Sequence, residues 1–176
     1  LPSTVLPSLE RETSPETIIC VDTVSSLSGV LFEMDAWGVD FVLTSSQKAL
    51  ALPPGLSLAA ANERAMQRAA EVPNRGWYFD LVRLEKHRLK DSTPATPAVG
   101  IIYALDYQLD RILAETLPAR AARHSAMAAR VQGWAVGRGF RLYAPEGYRS
   151  QTVSTIVNTH GVDISALNKF LEERGM

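Results

Sequence analysis

One stretch constrains this chain more than any other. Thr17-Ile18-Ile19-Cys20-Val21 is apolar and rich in β-branched residues, has no alternation of polar and apolar positions, and stops at Asp22. A strand with one wet face alternates, whereas a strand covered on both faces of a parallel sheet reads as an unbroken run. The expectation is therefore a buried strand of an α/β layered domain, with Cys20 as a core thiol. A small-residue stretch, Thr23 to Gly29, follows it.

The rest of the chain repeats the alternation of strand and helix. Phe41-Val42-Leu43 is a second short apolar run and leads into Thr44-Ser45-Ser46-Gln47-Lys48-Ala49-Leu50. Pro53-Pro54-Gly55 marks a turn, Leu56–Ala61 reads as a third strand, and Asn62 is a helix cap for Glu63–Glu71. Gly76–Lys90 has helical spacing. Pro94 and Pro97 then break the chain, and Val99, Ile102, Leu105, Leu109, Ile112 and Leu113 recur at a helical period. Pro118 suits the first turn of a further helix running to about Gly137 or Gly139. The end reads as strand (Phe140–Tyr143), strand (Thr152–Asn158) and a helix capped by Asp163. This order predicts an α/β domain over residues 1–117, including a connecting helix, and part of a small α+β domain over 118–176.

Charge and cysteine content narrow the function. A formal net charge of −1 gives no electrostatic drive toward nucleic acid or an anionic membrane. The single cysteine suits a reducing cytosol, and no apolar run is long enough to span a bilayer. The chain begins at Leu1 and stops just after a helix at Met176, which reads as a piece of a longer protein. The three histidines, His87, His124 and His160, lack metal-ligand spacing.

In open parallel sheets, ligands bind beyond the carboxyl ends of the strands. Asp22, the segment Ser45 to Lys48 and the Thr93-Pro94-Ala95-Thr96 loop occupy such places. A lysine near the end of a buried strand can be desolvated, which makes its amine nucleophilic, and an aspartate at a neighbouring strand end can hold a heterocyclic nitrogen protonated. Pyridoxal phosphate (PLP) needs both partners, one for its aldehyde and one for its ring nitrogen.

The segments Val21-Asp22-Thr23-Val24-Ser25-Ser26-Leu27, Met34-Asp35-Ala36-Trp37-Gly38-Val39-Asp40 and Thr44-Ser45-Ser46-Gln47-Lys48-Ala49-Leu50, with Pro53-Pro54-Gly55, resemble the cofactor region of class V aminotransferases. Within that family the resemblance is to the alanine–glyoxylate and serine–glyoxylate (serine–pyruvate) group. It continues through Thr96-Pro97-Ala98 and Tyr103-Ala104-Leu105. It implies the C-terminal half of a fold type I PLP-enzyme large domain, mostly parallel in its sheet, plus the start of the small domain. It also implies transamination between a small amino acid, alanine or serine, and a 2-oxo acid such as glyoxylate or pyruvate.

By the same resemblance Lys48 holds PLP as a Schiff base, Asp22 pairs with the pyridine nitrogen, and Gln47 lies near the phosphate. Ser25 or Ser26 lines the site. Thr96 and Thr93 match a loop that reaches the neighbouring subunit's phosphate in a homodimer with shared sites, although relatives often carry a larger residue where Thr93 stands. The substrate-clamping arginine has no match here, and Arg149 reads as a surface-loop residue. The chain alone is thus expected to be inactive. Two other readings stay open: a lyase or desulfurase of the same fold, and a catalytically incompetent fragment. The position of Cys20 inside a strand speaks against the desulfurase. The basic cluster Arg83, Lys86, His87, Arg88 and Lys90 reads as a solvated helix face, and Trp77-Tyr78-Phe79 as core packing, a site border or a dimer contact.

Overall fold

The computed structural model describes residues 12–176. The chain divides into two compact units between Ala121 and Ala122. The first holds a three-stranded sheet of β1 (Cys20–Asp22), β2 (Phe41–Ser45) and β3 (Ser57–Ala61), followed by α1 (Glu63–Glu71), α2 (Leu81–Arg88) and α3 (Val99–Glu115). The helix α4 (Leu117–Gly137) contains the division. The second unit continues with the antiparallel pair β4 (Arg141–Leu142) and β5 (Ile156–Val157) and ends in α5 (Ile164–Glu172). The α/β class expected from the sequence holds. Among the described residues no helix is long and apolar enough to cross a membrane.

The sheet is mixed. β1 pairs with β2 in parallel, Cys20 against Phe41, Val21 against Val42 and Asp22 against Leu43. β2 pairs with β3 in antiparallel fashion. Residues 46–56 join β2 to β3 around the Pro-Pro-Gly turn, a connection that reverses the chain without a crossover helix.

Side chains of register partners lie on the same face of a sheet. One face therefore carries Val21, Val42, Thr44 and Leu58, and on it Val42 and Thr44 are buried. The other carries Cys20, Asp22, Leu43, Ser45, Ser57 and Ala59, and it is largely open. This corrects the expectation that the first run would be covered on both faces. β1 is three residues long, and Cys20 is an exposed thiol rather than a core one. The physical reason is that β1 is an edge strand, and Cys20 lines an open groove with Ala65 and Ala69 of α1 and Leu81 of α2, so the helices border this face without closing over it.

The helices follow their caps. Asn62 Oδ1 accepts from Ala65 N at 2.9 Å and starts α1 where the sequence placed it. Its amide also donates to Asp40 Oδ1 at 2.9 Å, and Asp40, fully buried, accepts from Ile19 N at 2.8 Å through Oδ2. One carboxylate thus ties the approach to β1, the start of β2 and the cap of α1. α2 is shorter than the Gly76–Lys90 expectation, because Asn74 and Gly76 adopt positive φ and Asp80 supplies the cap, accepting from Val82 N at 3.0 Å. Trp77, Tyr78 and Phe79 precede that cap and are 55%, 62% and 82% exposed, so the core-packing option for them fails. Arg83 lies over the Trp77 ring at 3.9 Å.

In the second unit Phe140 meets His160 edge-on at 4.7 Å, and Asp163 caps α5 by accepting from Ala166 N at 3.0 Å. Arg149 is exposed, as expected of a loop arginine, and donates to the Ala144 carbonyl.

Candidate active site

Parallel pairing sends the carboxyl ends of β1 and β2 to one edge of the sheet. Asp22 is the last residue of β1 and sits level with Leu43, two residues before β2 ends at Ser45. Lys48 follows three residues beyond that end. Asp22 and the loop that carries Lys48 therefore follow from adjacent strands at the same edge of the sheet. Both side chains are exposed. Asp22 Oδ1 accepts from Val24 N at 2.8 Å, which folds the chain back after the strand. Among the described residues, Lys48 makes no ion pair and Asp22 Oδ2 no hydrogen bond.

Beneath these exposed groups lies a buried polar lattice. Thr23 donates from both N and Oγ1 to the Leu43 carbonyl, at 2.9 and 2.7 Å, and its own carbonyl accepts from Thr44 Oγ1 at 3.2 Å. These bonds extend the β1–β2 register past the last ladder pair. Ser46, fully buried, does the same for the lysine loop. Its hydroxyl donates to the Pro53 carbonyl at 2.6 Å and accepts from Leu56 N at 3.3 Å, its carbonyl accepts from Leu52 N at 3.1 Å, and within the loop Lys48 O accepts from Ala51 N at 2.9 Å. The loop is a closed structure and not a free strand extension.

Apolar packing fixes that loop to the helix behind it. Leu50, two residues after Lys48, forms a core cluster with Leu105 and Ile112 of α3, against which Leu52, Leu56 and Leu58 pack. Gly55 has φ +131, and a Cβ there would stand 2.8 Å from Ile101 Cδ1 at the start of α3, so the turn and the helix approach with glycine spacing only.

Of the remaining sequence candidates, Ser25 is exposed in the turn after β1 and Gln47 is exposed beside Lys48. Thr93 and Thr96 are exposed in the segment leading to α3, and neither hydrogen-bonds to Asp22, Gln47 or Lys48 among the described residues. Two further contributors emerge: Ser45, marked by the sequence only as part of the Ser45–Lys48 segment, and Arg120, not marked at all. Ser45 Oγ is shielded from solvent and has no partner among the described residues, on the same sheet face as Asp22. Arg120, 7% exposed, donates to Ser28 and to the carbonyl of Ala49, the neighbour of Lys48. No local spacing reveals Arg120, since its partners lie 92 and 71 residues away.

The donor set fits PLP. Among the described residues Lys48 makes no ion pair, Asp22 Oδ2 accepts no hydrogen bond, and the shielded Ser45 hydroxyl on the face of Asp22 has no partner.

A sequence profile described as aminotransferase class-V matches residues 8–176. The chain is 34% identical over 161 residues to an uncharacterised aminotransferase of Methanocaldococcus jannaschii, covering 90% of this chain and 42% of that protein. It is 36% identical over 152 residues to L-aspartate–glyoxylate aminotransferase of Paracoccus denitrificans, covering 85% of this chain and 38% of that protein. The crystal structure of alanine–glyoxylate aminotransferase from Nostoc superposes with a TM-score of 0.87 at 31% identity, over 97% of this chain and 45% of that one. The chain thus spans about two fifths of the length of these curated relatives.

Proposed function

The chain belongs to the class V aminotransferase family, and we propose that it contributes the lysine and the aspartate of a PLP-dependent transaminase that moves an amino group from a small amino acid, alanine or serine, to glyoxylate or pyruvate. The observation that carries the reading is the parallel register of β1 and β2, which brings Asp22 and the Lys48 loop to one edge. Relatives that bear glyoxylate in their names support the acceptor.

When bound, PLP supplies an aldehyde for an amine and a protonated ring that withdraws electrons. Lys48 would hold the group through Nζ, and Asp22 would face its ring nitrogen and favour the protonated ring. The Lys48 amine is the base that would move the proton at the substrate α-carbon. Ser25 and Gln47 border the cofactor from the two loops. Thr93 and Thr96, both exposed, would serve the cofactor phosphate across a homodimer interface. The reading includes a large-domain portion over 1–117, a small-domain portion over 118–176, and work in a reducing cytosol.

Borohydride reduction of the PLP-loaded complete gene product, followed by peptide mapping, tests the assignment. The label is expected on Lys48 and absent from Lys48→Ala, which loses transamination by about a hundredfold or more. A label on another lysine sinks the reading. Release of alanine from cysteine, in place of amino transfer, would favour the desulfurase alternative.

A further inference from the structure

Arg120 joins two loops that the sequence keeps far apart. Its Nε donates to Ser28 O at 2.8 Å and to Ser28 Oγ at 2.9 Å, and its Nη2 donates to Ala49 O at 2.7 Å. Its Nη1 pairs with Glu115 Oε2 at 2.8 Å, and the arginine side chain is 9% exposed. Ser28 closes the turn segment that begins at Asp22 and contains Ser25, and Ala49 adjoins Lys48.

Two features separate this from an ordinary buried ion pair. A lysine would satisfy Glu115 equally well, whereas the planar guanidinium fork spans three partners in set directions and so fixes the distance between the two loops. Both loops also carry non-glycine residues at positive φ, Ser28 at +73° and Ala51 at +58°. Such conformations persist only where the surroundings over-determine them. The donors of Arg120 land on Ser28 itself and two residues before Ala51.

We propose that Arg120 is a positioning residue for the reaction: it sets the loop carrying Lys48 against the loop following Asp22, and thereby the placement of the amine. The inference rests on the functional reading above and adds a residue that touches neither substrate nor cofactor.

The test uses the complete gene product with Arg120→Gln and Arg120→Lys, and two readouts. The first is amide hydrogen exchange of segments 23–30 and 46–52 without cofactor, which does not depend on the chemistry. Arg120→Gln is expected to accelerate exchange in both segments together, by about tenfold. The second is steady-state kinetics with the pH midpoint of the lysine-bound PLP absorbance. The expected result is a kcat lower by about tenfold to a hundredfold, KM for the amino acid changed much less, and a displaced midpoint. Arg120→Lys should recover thermal stability through Glu115 but not kcat. Loosening of one segment alone, or a drop in thermal stability with kcat and midpoint unchanged, overturns the proposal. If Arg120→Gln fails to fold, Ser28→Ala removes only the hydroxyl acceptor. It should move the same midpoint in the same direction by a smaller amount, and an unmoved midpoint overturns the proposal. If borohydride never labels Lys48 in the unsubstituted protein, the functional reading fails instead, and the exchange data alone decide whether Arg120 couples the loops.

Discussion

The polar residues of the first unit form two populations that are opposite in behaviour. Thr23, Asp40, Thr44, Ser46 and Arg120 are at most 7% exposed, and the hydrogen bonds described above run mostly to backbone atoms. Asp22, Ser25, Gln47, Lys48, Thr93 and Thr96 are exposed, and Asp22 is bonded only to the turn it closes. The buried set holds the edge together and has no access to a ligand. The exposed set has access and supports almost nothing. Neighbouring positions alternate between the populations, Asp22 with Thr23 and Ser46 with Gln47, because a side chain that stabilises the edge must turn inward and one that reacts must turn outward.

Substitutions can break that division. The largest expected effect is on chemistry with no effect on folding. Asp22→Asn keeps an oxygen for Val24 N and removes only the charge, so activity in the complete gene product should fall by roughly a hundredfold or more. Stability should move by less than about 0.5 kcal/mol. A destabilised Asp22→Asn protein in urea denaturation would show that Asp22 belongs to the framework after all.

Ser46→Ala should behave in the reverse manner. It leaves the Pro53 carbonyl and Leu56 N without the hydroxyl they share, at a cost of about 1–3 kcal/mol in the same titration with an unchanged denaturant slope. The smallest effect is a gain. Thr116, between α3 and α4, has φ 68 and ψ 144, a region almost reserved for glycine. Its hydroxyl accepts only a long 3.4 Å bond from Ala119 N, and glycine in place of a capping threonine costs a few tenths of a kcal/mol. Thr116→Gly should therefore stabilise by about 1 kcal/mol, read as a higher Tm, and unchanged activity would keep that corner within the framework.

What the sequence could reveal follows the same division. Local signals were legible: Asn62 and Asp163 cap the helices they were expected to cap, Pro118 sits in the first turn of α4, and the apolar period from Val99 to Leu113 lies within α3. Asp22 and Lys48 stood out because strand ends carry chemistry. Ser46 stood only as part of a loop segment, although its partners Pro53 and Leu56 are 7 and 10 residues on, and Arg120 did not stand out because its partners lie 92 and 71 residues away. Serine beside serine looks like loop composition, and arginine in a first helical turn looks like a solvated charge. The burial of the first run was misjudged for a related reason. An unbroken apolar run reports that a strand is meant to be covered, but coverage depends on layers that residues 12–176 do not place over Cys20 and Leu43.

The outermost position of β1 has a consequence for handling the chain by itself. Among the described residues the outer rim of β1 pairs with no strand, such a rim is a template for another strand, and the adjoining face offers a thiol and a leucine to whatever docks. Copies of this polypeptide in concentrated solution should therefore find one another through that rim, stacking end over end or cross-linking at sulfur, and a reducing buffer would suppress only the second route.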